Sequence, residues 1–430
     1  MPAAHRAVRG WWRAERCAVK ALAGHGATRY YRALLRSLPP PMSTLIPALS
    51  LAGFVVVAVM RVTDPLLPVI AQDFHVPVGQ AGMVITSFAM GYGLFLLLYG
   101  PLGDRHGKLR VIALTLTAAA LCVGACAFAP DLRSLAALRF LTGMTTAAAV
   151  PLSLAYIGDN VPLEIRQPTL ARYMTGVIFG QMLGAGLGGV LSDAIGWRAI
   201  FMVFAVAIAG AAAVIAGLAR KESVVLVSAP ISLLKSLGQY VSLTRDPKAA
   251  DLLIAAFVEG LCVFGGVAYI GAMLHARHHL SFTLIGLFLI AYGAGGLVYS
   301  VSAARLLRQF GRPGMMVLGG ACMAAAFIGL ALLPVGWGAP PLILLLGLGF
   351  YILHSTLQTL ATELLPKARG TSFAIFAFAL FAGQAVGVTC LGLLVDAQGY
   401  PVALGMVGVC LGVLGLWLRN SPAITRYGRG

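Results

Sequence analysis

The chain has 430 residues, of which 59% are hydrophobic and 10% charged, with a formal net charge of +17. Soluble domains keep about 25% charged residues to face water, so this composition excludes an ordinary soluble enzyme and points to a chain solvated largely by lipid. The basic excess follows segment position and is not gathered into a nucleic-acid footprint.

In chain order, residues 1–44 form a basic extension, with eight Lys and Arg before position 37 and the pair Trp11-Trp12. It lacks the apolar core of a secretion signal. An interfacial helix on anionic lipid and an unordered extension both fit it, and Pro39-Pro40-Pro41-Met42 leaves open a start at Met42. Twelve apolar stretches follow at about 45–67, 78–99, 109–129, 132–157, 168–192, 196–218, 250–273, 281–303, 314–333, 339–362, 370–394 and 399–418. Each is near the ~20 residues that a helix needs to cross a bilayer. Runs such as Leu252 to Phe257 lack the two-residue alternation of membrane β-strands. The expected fold is an all-α membrane protein with an N-terminal six-helix bundle (45–218), a central loop (219–249), a C-terminal six-helix bundle (250–418) and a short tail (419–430). The stretch Ser232 to Val241 in the central loop is a second amphipathic candidate.

Lys and Arg place both termini in the cytoplasm. They cluster in the N-terminal extension, in alternate loops, in the central loop and in the C-terminal tail, leaving Arg133, Arg198 and Arg277 on the other side. Cys122, Cys126, Cys262, Cys322, Cys390 and Cys410 fall in spans and Cys17 in the extension. No external disulfide, zinc site or cofactor is therefore expected. Gly184 to Gly189 reads GxGxxG, but without the preceding strand of a dinucleotide fold, and Gly107-Lys108 is followed by Leu109, so no phosphate-binding loop supplies ATP.

A shift of 203 residues brings Gly180, Gln181, Gly184, Gly189, Leu191, Asp193 and Gly196 onto Gly383, Gln384, Gly387, Gly392, Leu394, Asp396 and Gly399, and Arg166 onto Arg369. A shift of 204 pairs Gly82, Gly91 and Gly107 with Gly286, Gly295 and Gly311. Six spans per half make the repeats parallel, with a pseudo-two-fold along the membrane normal and a site between the halves.

The loop Gly100-Pro-Leu-Gly-Asp104-Arg105-His-Gly107-Lys108-Leu-Arg110 resembles the signature loop of the major facilitator superfamily. The resemblance implies a cytoplasmic gate at Asp104 and Arg105, with Gly100 allowing close helix approach and Asp104 near a helix start. A static turn with a positive-inside role is the simpler reading. In the second half Arg308 stands where Asp104 would align. Arg139-Phe140-Leu141-Thr142-Gly143 resembles the family's fourth-span arginine motif, with Thr in place of the usual Gln. Gly176, Gly180, Gly184-Ala185-Gly186 and Gly188-Gly189 resemble the glycine-rich motif of drug:proton antiporters, which has Pro where this chain has Ala185. This small-residue face also suits close helix packing.

Intramembrane charge costs ~2.5–3.5 kcal/mol per residue on insertion scales, which makes each one a candidate functional site. Arg61 and Asp64, three apart, are expected to share a face of the first span and to pair; Arg139 is expected two turns inside the fourth span, either partnered or snorkelling; Glu259 lies inside the seventh. In the family the first and seventh spans line the central cavity, so Asp64 or Glu259 is the expected proton carrier, tuned by Arg61 or Arg139, with Gln181, Gln358, Gln384 and His354 as further cavity candidates. His354 alone supports no mechanism. The function expected is secondary active transport of a small molecule, proton-coupled efflux first and a symporter or uniporter second, by a monomer in a bacterial inner membrane. No catalytic constellation of a membrane enzyme and no soluble sensing domain is visible.

Overall fold

The computed structural model describes residues 40–220, 238, 247–364 and 369–421. The basic extension before residue 40, most of the central loop and the end of the tail lie outside the described residues. Met1–Pro47 and Ala48–Gly430 are separate compact units, and the site lies in the second.

Every described element is helical: α1 (Pro40–Arg61), α2 (Leu67–Asp73), α3 (Val78–Ala81), α4 (Met83–His106), α5 (Lys108–Cys126), α6 (Leu132–Thr146), α7 (Ala149–Asn160), α8 (Leu163–Ala219), α9 (Pro247–Glu259), α10 (Gly265–His278), α11 (Phe282–Ala331), α12 (Ala339–Leu364), α13 (Arg369–Gln398) and α14 (Tyr400–Asn420). Helices satisfy their own backbone polar groups, which lipid cannot do. Among the described residues, ten helical stretches are long and apolar enough to cross a membrane. Two of them, Ile165–Ala219 and Phe282–Ala331, run for 55 and 50 residues, more than twice the ~20 residues of a single crossing. Both break at a glycine with positive φ, Gly196 (75°) in α8 and Gly311 (61°) in α11. The other two positive-φ glycines, Gly107 and Gly399, are their repeat mates, so the four form two pairs of equivalent turns in a backbone conformation that side chains rarely adopt.

Helix ends depart from the sequence reading in four places. The first span stops at Arg61 and continues as turns to Leu66, because Pro65 and Pro68 interrupt the hydrogen-bond ladder. The fourth divides at Ala147-Ala148 into α6 and α7, four residues before Pro151. The seventh changes from α9 to a π-helical turn, Gly260–Phe264, and then to α10. The second runs through Pro101 to His106, so Asp104 belongs to the last turn of α4 and not to a helix start. Capping is local where side chains allow it. Asp131 accepts the Ser134 amide at 2.8 Å, which holds its carboxyl below the ordinary carboxylate range, and Ser281 caps Leu284.

What assembles the helices is glycine against backbone. A Cβ on Gly176, Gly180, Gly184 or Gly188 of α8 would strike the main chain of Ser50, Phe54, Ala58 and Val62. The glycines and their partners both advance four residues at a time, as one helical ridge laid along another. In the second half Gly383 and Gly387 of α13 meet the main chain of Phe257 and Leu261, which are Phe54 and Ala58 shifted by 203. Gly91 against Phe140 and Gly143 against Phe88 recur as Gly295 against Leu344 and Gly347 against Tyr292, each shifted by 204. Gly100 meets nothing within 4 Å, so the close approach expected there is instead made by Gly103, against Leu152.

Replacing Gly180 by Leu should cost at least about 1–3 kcal/mol through overpacking. The expected result is a lower thermal midpoint in detergent, whereas Gly217→Leu, at a glycine facing open space, should leave the midpoint unchanged.

Candidate functional site

The first half contributes three buried charges. Arg61 ends α1 and its Nη1 lies 3.4 Å from Asp64 Oδ2. Because Asp64 lies in the turn after the helix, the pair closes across a helix end and does not run along a helix face. Arg139 of α6 is fully buried, which excludes snorkelling. Its Nη1 donates to Val59 O at 3.2 Å and its Nη2 to Thr63 Oγ1 at 3.3 Å. These acceptors stand where α1 runs out and its last carbonyls need donors. The guanidinium also lies 4.4 Å from the centroid of the Phe88 ring and 5.8 Å from that of Phe201, a cation–π setting that favours the charge in an otherwise apolar surrounding.

The second half contributes Glu259, also fully buried, at the last position before the π-helical turn. A π turn adds a residue to the helix and redirects the side chains around it, a feature that recurs at functional sites. Here Gly260 abuts the Leu380 carbonyl of α13. Glu259 Oε2 is 3.0 Å from His354 Nδ1 on α12. His354 stacks on Phe350 at 4.8 Å and lies 5.6 Å from Phe376, while Phe350 meets Phe264 at 5.3 Å. Arg61 then covers Phe264 at 4.3 Å, so a line of contacts runs from the first half's cation to the second half's anion.

Sequence reasoning named Arg61, Asp64, Arg139 and Glu259, and the structure brings Arg61 and Asp64 together, with Arg139 on the same end of α1. Each of the four keeps one buried polar atom without a hydrogen-bond partner: Arg61 Nε, Asp64 Oδ1, Arg139 Nε and Glu259 Oε1; so does the Tyr292 hydroxyl. A buried group left unpaired costs about 1–3 kcal/mol. Five such groups among the described residues around the ends of α1 and α9 make this neighbourhood the candidate site. Gln384 is buried beside Gly260, whereas Gln181 and Gln358 are half-buried. A separate apolar cavity of about 480 Å³, lined by Met90, Leu94, Phe140, Phe378, Val386 and Cys390 among others, is bordered by none of the four charges.

At the motif loop, Lys108 Nζ bridges Asp104 at 2.6 Å and Asp159 at 2.7 Å, all within the first half, and Arg105 is exposed. The cation offsets an aspartate placed at the unfavourable end of the helix dipole. Arg312 binds Glu363 through two hydrogen bonds of 2.9 and 2.8 Å. Arg312 and Glu363 are Lys108 and Asp159 shifted by 204, so the two ion pairs are repeat mates. Asp159 and Glu363 went unremarked in the sequence because neither belongs to the loop motif, though their common shift would have linked them.

The family model of the Major Facilitator Superfamily matches residues 49–388. An uncharacterized MFS-type transporter of Bacillus subtilis, YceJ, is 26% identical over 359 residues, covering 80% of this chain and 88% of the relative. The multidrug export protein EmrB of Haemophilus influenzae is 30% identical over 156 residues, 36% of this chain and 31% of that protein. Among solved structures, a mutant form of the nucleoside transporter NupG superposes with a TM-score of 0.72 at 13% identity, covering 87% of this chain and 98% of its own.

The Arg139 fork is the most demanding contact set in the site. Arg139→Lys should not restore both bonds, since an ammonium cannot reproduce the planar fork; a loss of about 1–3 kcal/mol is expected, read as a lower thermal midpoint with unchanged helix content.

Proposed function

The chain belongs to the major facilitator superfamily and is a multi-pass membrane transporter of small molecules, and we propose that it works by alternating access, exporting its substrate in exchange for protons. Counting the stretches broken at Gly196 and Gly311 as two crossings each gives twelve spans in two parallel six-helix halves, 45–218 and 250–418, joined by the central loop 219–249. Both termini are cytoplasmic, and the transporter acts as a monomer in the plasma membrane, a bacterial inner membrane. The observation that carries the reading is the set of buried, incompletely paired charges on the first, fourth and seventh spans. An export role is further supported by the partial match to a multidrug exporter.

Asp64 or Glu259 takes the proton when exposed to the outside and gives it up when exposed to the cytoplasm, tuned by Arg61 or Arg139. An entering proton contributes ~2.3 kcal/mol per 100 mV of membrane potential, in addition to the pH gradient. Substrate and proton then exclude one another at one carboxylate, and two rocking halves exchange the side of access. Gly100, Asp104, Arg105, Gly107 and Lys108 form the cytoplasmic gate, while Gly180, Gly184 and Gly188 keep the helix contact that lets each half move as a body and Gly189 packs against the opposite half. Ala185, where antiporters of this type have proline, favours a second reading as a symporter or uniporter for a metabolite.

Everted vesicles with a pH-sensitive dye test the proposal. Adding lipophilic cations, sugars and amino acids singly should release protons for one class, and Glu259→Gln or Asp64→Asn should abolish that release with protein still in the membrane. Unchanged pH-driven transport in both variants would overturn the coupling assignment. Asp104→Asn should lower transport several-fold at near-normal expression, and full activity there would remove the gate role.

A further inference from the structure

Asp193 and Asp396, repeat mates at the ends of the fifth and eleventh spans, make hydrogen bonds that cross from one half to the other. Asp396 Oδ1 accepts the Gly79 amide at 2.9 Å. Asp193 Oδ2 accepts the Thr283 amide at 2.8 Å and its hydroxyl at 2.7 Å. Gly79 and Thr283 are themselves mates at a shift of 204, so one contact is the pseudo-two-fold image of the other. Below each aspartate the backbones touch: Gly392 meets Gly79, and Gly189 meets Phe282 and Gly286. Tyr269 Oη donates to Val388 O at 2.8 Å and reaches Gly79 O at 3.4 Å, and Thr86 Oγ1 lies 3.1 Å from Thr389 Oγ1. All of this lies at the end of the bundle opposite the Asp104 and Arg312 ion pairs.

We propose that Asp193 and Asp396 are a two-point latch that holds this end closed, and that both carboxylates must release the opposite half's amides before the end can open. Short bonds to an ionised acceptor are among the stronger hydrogen bonds, which makes each a bias toward closure. Both aspartates are also exposed, so water resolvates the freed carboxylate and the bond is reversible. The glycines beneath complete the arrangement, since Gly79 is so close to Gly392 O that any Cβ would part the two halves. Symmetry adds a constraint: the two contacts lie on either side of the pseudo-axis, so releasing one leaves the other as a hinge and full opening requires both.

Hydrogen–deuterium exchange on the full chain in lipid nanodiscs tests this. In Asp193→Ala/Asp396→Ala, exchange over residues 78–86 and 282–290 should quicken about tenfold, while exchange over residues 97–108 and 249–256 at the other end should slow. Each single variant should act across the interface, Asp396→Ala on 78–86 and Asp193→Ala on 282–290, with a smaller effect at the far end. Asp→Asn keeps an acceptor oxygen but loses its charge, so its exchange should fall between the parent and the alanine variant, a graded order that misfolding would not give. Gly79→Ala, with both aspartates intact, should reproduce the double variant. Acceleration confined to residues 79 and 283, or no change in the double variant and in Gly79→Ala, would overturn the latch. The latch takes its purpose from the alternating-access reading, but exchange reads opening without any transport assay, so the two can fail separately.

Discussion

Backbone contact between helices at four-residue intervals is the constraint on which this molecule depends. Lipid offers no hydrophobic reward for bringing two apolar helices together, so association rests on close packing and on whatever polar contacts become available. Glycines at 176, 180, 184 and 188 let α8 lie directly on the first helix. That contact fixes where the first helix lies, Pro65 and Pro68 fix where it ends, and that end is where Arg61, Asp64 and the acceptors of Arg139 are found. The charge cluster is thus placed by a packing stripe that contains no charge.

Frame and chemistry obey different symmetries. Turn glycines, packing glycines, the ion pairs Lys108–Asp159 and Arg312–Glu363, and the cross-half aspartates all occur in pairs related by 203 or 204 residues. The buried charges do not: at 204, Arg139 falls on Ile343, and at 203, Glu259 falls on Val56. The duplicated scaffold repeats its contacts in both halves, whereas the buried charges occur once each, so the proposed site rests on residues that the repeat does not constrain.

The sequence made the scaffold legible because its signals are local or periodic. Apolar runs give spans, prolines and glycines mark their ends, and a constant shift exposes the repeat. Asp193 and Asp396 could be paired by that shift, but not joined to Thr283 and Gly79, because a contact between halves has no spacing rule. The link from Glu259 to His354 spans 95 residues and two helices, and nothing in either segment announces the other. The π turn after Glu259 was equally silent, since no residue type encodes it, and its Gly260 packs on α13. Asp104 was misplaced at a helix start because the second apolar stretch ends near 99, while the helix continues through Pro101 and ends only where Gly107 adopts a φ of 87°.

Arg61 and Phe264 touch, and they are separated by 203 residues, the interval of the repeat in these helices. A two-fold operation exchanges them, and a point that contacts its own image lies beside the axis of that operation. Their contact, a cation 4.3 Å from the centroid of an aromatic ring, therefore lies beside that axis, where the two halves face each other. The first half supplies a guanidinium and the second an aromatic ring at equivalent places in the duplicated chain. A molecule resting beside the axis would thus meet two different chemistries where identical halves would offer the same one twice.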